Sequence, residues 1–181
     1  SNNTVFGQNA LNSTTDTASF NTAFGNNVLT SCQTGDSNSG AGNNSLQKTT
    51  TGSSNVAMGN ASLNRNTIGS FNSAFGKHAL NDIIDCDYNS AFGGEAGKGI
   101  ENNSNAHNNT FLGAKTNFDT PNGSGYANST AIGYEALITK SDQIVLGKSS
   151  SPPEVFIPGN LSLNGTLNGV TSTELGYLDG V

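Results

Sequence analysis

The chain has 181 residues, of which 33% are hydrophobic and 11% charged, with 23 Gly and no Trp. Its formal net charge is −6. No cluster of Lys and Arg is present, so the sequence shows no electrostatic footprint for nucleic acid. No apolar run approaches the roughly 18 residues of a membrane-spanning helix, which argues against membrane insertion. Nine Phe and four Tyr at recurring places set the chain apart from a disordered one.

One sequence unit recurs nine times between Asn3 and Gly147. It reads Asn-Ser/Thr-Ala-Phe-Gly, and Ala-Leu follows after two variable residues. The closing glycines are 18, 17, 17, 17, 17, 20, 20 and 14 residues apart. The residues that define the repeat are Phe6, Gly7, Phe24, Gly25, Gly42, Met58, Gly59, Phe75, Gly76, Phe92, Gly93, Leu112, Gly113, Ile132, Gly133, Leu146 and Gly147. Such a period indicates a repeat architecture.

The length of the repeat predicts the fold. Seventeen residues are too few for a pair of helices, which needs more than about 30. They suit one coil of a β-solenoid with two turns and two strands of about five residues each. We therefore predict an all-β solenoid shaft of about nine coils over residues 1–148, and a separate connector over 149–181.

Alternation within the motif separates two sets of side chains. Thr4 and Phe6 should point one way and Val5 the other. We expect the Phe/Met/Ile/Leu position to stack into a continuous core. The small residue before it should lie on a face where another backbone comes close, and this predicts a homotrimer. The glycines should turn corners, and the repeated Asn should form ladders or turns rather than bind a ligand.

The stretches between motifs are rich in Ser, Thr, Asn, Asp and Gly, so we expect exposed loops on one edge of the shaft. The longest, 94–108 and 114–128, are the predicted recognition surface. Cys32 and Cys86 lie about three coils apart, or roughly 14 Å. That separation exceeds the reach of about 7 Å for a disulfide, which argues against a bond within one chain.

The repeat pattern ends after Gly147, and the residues that follow have a different pattern. Pro152 and Pro153 end the repeat pattern. Residues 155–170 read as short strands with Asn-Gly turns. Thr171 and Glu174 form a capping-box pattern, which predicts the start of a short helix.

The repeat resembles the head repeat of trimeric autotransporter adhesins, which are left-handed parallel β-rolls that trimerise. The longer period of 17–20 residues is more similar to the fibre proteins of phages and large DNA viruses. The run Thr173-Glu174-Leu175-Gly176-Tyr177-Leu178-Asp179-Gly180-Val181 resembles one in viral tail and surface fibres, where a trimeric coiled coil often follows. The resemblance implies no catalytic residues.

Few residues suggest chemistry. Asp82, Asp85 and Asp87 lie close in sequence but do not have the spacing of a calcium loop. His78 and His107 lie in different repeats, in positions that look exposed, and have no Cys or Ser partner. The acidic residues are scattered rather than paired as in glycosidases. We therefore predict no enzyme activity, cofactor or metal. Glycosylation sequons begin at Asn2, Asn12, Asn43, Asn60, Asn102, Asn108, Asn122, Asn128, Asn160 and Asn164.

These patterns favour a structural and adhesive segment of a trimeric viral fibre, located on the virion surface or extracellularly, whose loops contact a host glycan or protein. The alternative is the head of a bacterial trimeric adhesin. An ice-binding solenoid forms a third class, but it would need a flat, regular Thr ladder, and the variable loops argue against one. The receptor and the residues that bind it stay unidentified.

Overall fold

The computed structural model describes residues 2–13, 17–99, 105–119 and 125–151. These residues contain short β-strands and turns and no helix. The strands are β1 (Thr4–Phe6), β2 (Thr22–Phe24), β3 (Ser39–Ala41), β4 (Val56–Met58), β5 (Ser73–Phe75), β6 (Ser90–Phe92), β7 (Thr110–Leu112), β8 (Asn117–Phe118), β9 (Thr130–Ile132), β10 (Leu137–Ile138) and β11 (Ile144–Leu146).

Nine of these strands form one parallel sheet in the order β1-β2-β3-β4-β5-β6-β7-β9-β11. Each strand pairs with the next copy of the motif without a shift, so that Ala57 lies opposite Ala74 and Met58 opposite Phe75. The chain is therefore a parallel β-solenoid, as predicted, with eight turns between the nine levels of the sheet. At about 4.8 Å per strand the shaft is about 38 Å long. We number the levels 1 to 9 by these strands.

The strands are shorter than the predicted five residues. Each strand of the large sheet has three residues. A second strand in the same coil occurs only as β8 and β10, which pair with each other. Elsewhere in the described part of the chain the coil consists of turns, because residues in the left-handed conformation interrupt the extended backbone at regular intervals.

The predicted orientation of the motif is wrong. The small position faces the core: Ala57, Ala74 and Ala91 are fully buried. The Phe position faces outward, and Phe24 is 58% exposed. The bulky residues do stack from level to level, but on the surface rather than in the core.

The reason is the narrow cross-section of a 17-residue coil. At Gly40, a Cβ atom would lie 2.5 Å from Cγ1 of Val28. The wall formed by the large sheet is therefore already in contact with side chains from the opposite wall of the coil. Level 7 supports this reason, because it stands between two 20-residue spacings. There Phe111 occupies the small position and is fully buried. It packs edge-on against Phe118, with ring centroids 5.5 Å apart.

Leucines fill the remaining core from the opposite corner. Leu29, Leu46, Leu63 and Leu80 are fully buried. Each has a φ between 47° and 51°, in the left-handed region. This conformation costs a non-glycine residue on the order of 1 kcal/mol, and burial of a leucine side chain returns about 1.5–3 kcal/mol. Burial therefore outweighs the local strain at these four positions.

The motif asparagines form a buried hydrogen-bonded column. Asn55 shows the pattern: its Nδ2 donates to the carbonyl oxygen of Gly69 at 2.8 Å, and its Oδ1 accepts from the backbone N–H of Asn72 at 3.0 Å. The same pair of contacts recurs along the column, which comprises Asn21, Asn38, Asn55, Asn72, Asn89 and Asn109. The predicted ladder is present, and it ties each coil to the next inside the core.

The closing glycines have two separate reasons to be glycine. Gly59 has a φ of 134°, which side chains rarely adopt. A Cβ atom on Gly59 would also lie 2.6 Å from the carbonyl oxygen of Gly76 on the next level. The predicted corner role is therefore confirmed, and close contact between neighbouring backbones adds to it.

The stretches between motifs are more ordered than the predicted loops. The backbone N–H of Thr50 donates to the carbonyl oxygen of Thr67, and Thr67 donates in the same way to Ile84. These stretches also place Cys32 and Ile83 in the core. They form a wall of the coil, so the prediction of exposed loops is wrong for them.

The two long stretches also contribute to the core. Within 94–108, Ala96 and Ala106 are buried; within 114–128, Phe118 is buried in β8. Residues 100–104 and 120–124, at the centres of these stretches, lie outside the described residues, as does nearly all of the predicted connector, including Thr171 and Glu174.

We expect Asn55→Ala to lower the free energy of unfolding by about 1–3 kcal/mol, because it leaves the buried N–H of Asn72 without a partner. The carbonyl group of Gly69 keeps its second bond, from Nδ2 of Asn66 at 2.9 Å. Chemical denaturation measures the loss. Asn60→Ala is the matched control, since Asn60 joins an exposed amide ladder through a 3.3 Å bond to Asn43. Equal losses in both variants would contradict a structural role for the buried column.

We expect Gly59→Ala to cost at least about 3 kcal/mol, because left-handed strain adds to the collision with Gly76. Gly94→Ala is the control, since a Cβ atom there would meet nothing within 4 Å. Thermal unfolding of the two variants compares them. Similar melting temperatures would show that neighbouring coils are not in backbone contact.

Candidate interaction face

Three columns of side chains cover the outer face of the large sheet and its edge. The motif column is the fourth position of the motif: Phe6, Phe24, Ala41, Met58, Phe75, Phe92, Leu112, Ile132 and Leu146. The middle column is the first residue of each strand: Thr4, Thr22, Ser39, Val56, Ser73, Ser90, Thr110, Thr130 and Ile144. The flank column is the residue directly before the first position of the motif at levels 2 to 9: Phe20, Ser37, Ser54, Phe71, Tyr88, Asn108, Asn128 and Asp142.

Burial alternates along each motif, and this places the three columns on one side of the coil. At level 5, Asn72 and Ala74 are fully buried. At the same level Phe71 is exposed, and Ser73 and Phe75 are half-buried. We call the three outward columns together the interaction face.

The motif column makes this face apolar over its whole length. Seven of its side chains are between 37% and 67% exposed: Phe6, Phe24, Met58, Phe92, Leu112, Ile132 and Leu146. Phe6 stacks on Phe24 with ring centroids 5.1 Å apart, and Phe75 stacks on Phe92 at 4.9 Å. A continuous exposed apolar patch of this kind marks an interaction site in a folded protein.

The flank column adds aromatic residues that the motif analysis missed. Phe20, Phe71 and Tyr88 are 62%, 52% and 56% exposed. Their φ values are 62°, 58° and 58°, in the left-handed region where bulky residues are uncommon. A bulky aromatic residue directly before the motif Asn was the available sequence signal, and it was obscured because other repeats carry Ser, Asn or Asp at this position.

The interaction face is nearly free of charge. Among the residues of its three columns, only Asp142 is ionisable as an acid or base near neutral pH. The charged residues of neighbouring levels lie elsewhere, for example in the ion pair of Arg65 with Asp82 at 3.5 Å. Depletion of charge at an apolar surface is typical of the buried centre of a protein interface.

The acidic residues considered for metal binding are occupied in other ways. Asp82 pairs with Arg65. Asp87 accepts a hydrogen bond from the backbone N–H of Ser70 at 2.6 Å. No group of three or more potential metal ligands occurs among the described residues, Asp85 included.

The two histidines are half-buried rather than fully exposed. Nδ1 of His107 accepts a hydrogen bond from the backbone N–H of Asp87 at 2.9 Å, which joins levels 6 and 7. His78 has a φ of 58° at the corner that follows Gly76. The two side chains belong to different parts of the shaft and form no common site.

Both cysteines lie buried in the core, and neither forms a disulfide bond within the described part of the chain. Cys32 shares its column with Thr49, Asn66 and Ile83, which are also buried, whereas Cys86 shares another column with buried Ala18 and Ala106. Burial, reinforced by the neighbouring Asp85 carboxylate, raises the pKa of the Cys86 thiol to about 12. The thiols are therefore structural parts of the core.

No family model matches the sequence, and comparisons with curated proteins and with solved structures give no significant match. None of the described residues belongs to a helix that could cross a bilayer.

We expect a thiol reagent such as dithionitrobenzoate at pH 8 to leave both cysteines of the folded protein unmodified and to modify both after denaturation. The raised pKa keeps Cys86 protonated at this pH, and only the thiolate reacts. The variant Cys86→Ala leaves Cys32 as the single thiol, so comparison with the native protein assigns any reaction to one of the two residues. We expect the variant to fold, because Ala18 and Ala106 occupy the same buried column. Rapid modification of native protein would contradict the buried placement.

Proposed function

We propose that this chain is a structural and adhesive shaft segment of a homotrimeric fibre that projects from a virion and takes part in attachment to the host surface. The observation that carries the proposal is the motif column, which is apolar from level 1 to level 9 and exposed in a single chain at seven of these levels. Water contact with such a stripe is unfavourable, so burial of the stripe drives association.

The partner must match the repeat of the shaft. The motif column presents a side chain about every 4.8 Å over nine levels. Another copy of the same chain has the same spacing because it has the same repeat, whereas a globular partner with an irregular surface does not. Self-association therefore buries the whole stripe most completely. The small motif position, which first suggested the trimer, faces the core and plays no part in this argument.

The resemblance of the repeat to trimeric heads supports three copies and a left-handed coil. The resemblance of residues 173–181 to viral fibre proteins supports a connector towards a trimeric stalk and a place on the virion. With the interaction face turned inward, the other walls of each shaft would meet the host. Those walls carry exposed amides such as Asn26 and Asn43, which suit contact with a glycan or protein surface.

We expect light scattering of the native protein to give three times the 18.5 kDa mass of one chain. The double variant Met58→Asp with Leu112→Asp should reduce that mass to one chain, because it places six carboxylates in the buried interface of a trimer. Gln8→Glu with Asn60→Asp is the matched control, since it adds the same charge, also three levels apart, to exposed positions on another wall. A native protein that is monomeric at micromolar concentration would refute the trimer.

The attachment part of the proposal needs a separate measurement. We expect the trimer to bind host cells or a glycan array, and the Met58→Asp, Leu112→Asp monomer to bind far more weakly because it loses multivalency. Equal binding by monomer and trimer would argue against attachment through a trimeric fibre, and no binding to any host surface would leave a purely structural shaft.

A further inference from the structure

We propose that the copies stand parallel and at the same level, with the motif column of each copy packed against the flank column of the next. The inference rests on the proposed trimer and adds to it the two surfaces that meet, their register and their direction. It follows from a correspondence between the two columns.

From level 2 to level 9 the flank residue is aromatic where the motif residue is Phe, and it is polar where the motif residue is not aromatic. At levels 2, 5 and 6 both are aromatic: Phe24 with Phe20, Phe75 with Phe71, and Phe92 with Tyr88. At levels 3 and 4 the motif column has Ala and Met and the flank column has Ser. At levels 7, 8 and 9 the motif column has Leu or Ile and the flank column has Asn or Asp. The correspondence holds at levels 2 to 9, and level 1 departs from it, because Asn2 precedes the motif there while the motif residue is Phe6.

Contacts within one chain explain why neighbours in the flank column resemble each other, since Asn108 donates to Asn128 and Asn128 donates to Asp142. They do not explain why the flank column matches the motif column. Among the described residues, the ring contacts made by these aromatics run along a column, as between Phe71 and Tyr88 at 4.9 Å or between Phe75 and Phe92. The rings of one column do not stack on those of the other. A residue of the middle column, such as Ser73 or Ser90, stands between the two at each level.

The backbone does not favour aromatic residues in the flank column either. Every flank residue has a φ between 56° and 62°. Asn and Asp tolerate this region, whereas it is unfavourable for a bulky side chain. The stack of Phe71 on Tyr88 offsets part of this cost. Phe20 is 62% exposed and makes no ring contact among the described residues, so its cost has no such offset. Contact with another molecule accounts for both the cost and the exposure.

A second copy at the same level provides that contact. If the copies are parallel and unshifted, level 6 of one faces level 6 of the next, and Phe92 meets Tyr88 of its neighbour. Aromatic pairs then form at levels 2, 5 and 6, where they are more favourable than their buried area alone indicates. A parallel copy shifted along the shaft would pair at most two of these aromatics, and an antiparallel copy that overlaps the whole shaft would pair only Phe75 with Phe71.

The use of two different columns determines the symmetry. Each copy offers its motif column to one neighbour and its flank column to the other, which is a heterologous contact. Such contacts close into a ring about the shaft axis, and three copies complete the ring proposed above. A two-fold pair would instead use both columns between the same two copies.

The test is cross-linking between single-cysteine chains that carry different tags and are co-expressed. The background is Cys32→Thr with Cys86→Ala, because Thr49 and Ala106 occupy the same buried columns. One chain carries Phe92→Cys and the other Tyr88→Cys, and a short bifunctional thiol reagent links them. Placing the two thiols on separate chains excludes a link within one chain.

Two controls bracket the register. Phe92→Cys is paired with Ser54→Cys or with Asn128→Cys, which lie in the flank column two levels away in opposite directions, or about 10 Å along the shaft. We expect the same-level pair to give several-fold more mixed dimer than either control. We also expect a chain that carries both Phe92→Cys and Tyr88→Cys to give covalent trimers.

The outcomes separate this inference from the proposed function. Trimeric mass by light scattering with a shifted pair that cross-links best would overturn the register and leave the trimer intact. Covalent dimers as the end product of the double-cysteine chain would overturn the ring in favour of a two-fold pair. A monomeric native protein would overturn both proposals. Trimeric mass with preferred same-level links would support both.

Discussion

The narrow cross-section of the coil is the constraint on which the structure depends. Seventeen residues closed at a glycine corner bring the backbones of successive levels together, so that a Cβ atom on Gly59 would meet the carbonyl group of Gly76. The two walls are equally close at Gly40 and Val28. Such an interior accepts alanine, leucine from one corner and an asparagine side chain that bonds to the next level. The larger motif side chains have no place inside and lie on the surface.

This arrangement links the stability of the shaft to the self-association that we propose. The buried asparagines satisfy backbone groups of the next coil and fix the unshifted stacking of the levels. The same stacking aligns Phe75 above Phe92 on the outside and makes a continuous apolar stripe with little charge nearby. A chain with so small a core is expected to gain from burying that stripe against copies of itself.

The sequence was sufficient to predict the solenoid, the parallel stacking and the glycine corners, because the period and the glycines report directly on the coil. It was not sufficient for the direction of the side chains. Alternation separates Ala74 from Phe75 but leaves open which one is buried, and the usual preference for buried Phe is wrong here. The answer depends on the coil diameter, which the buried left-handed leucines and the walls between motifs determine. Phe111, buried in a wider coil, illustrates the same rule.

The candidate face was missed for the same reason, since its definition requires the orientation of the motif. The predominance of Ala, in five of the nine repeats, beside a variable Phe, Ala, Met, Leu or Ile was the signal that the small position is the confined one. The most direct test compares the circular dichroism and cooperative unfolding of Ala74→Phe and Phe75→Ala. The account predicts that Ala74→Phe loses the folded sheet, whereas Phe75→Ala keeps it. A folded Ala74→Phe with an unfolded Phe75→Ala would contradict the account.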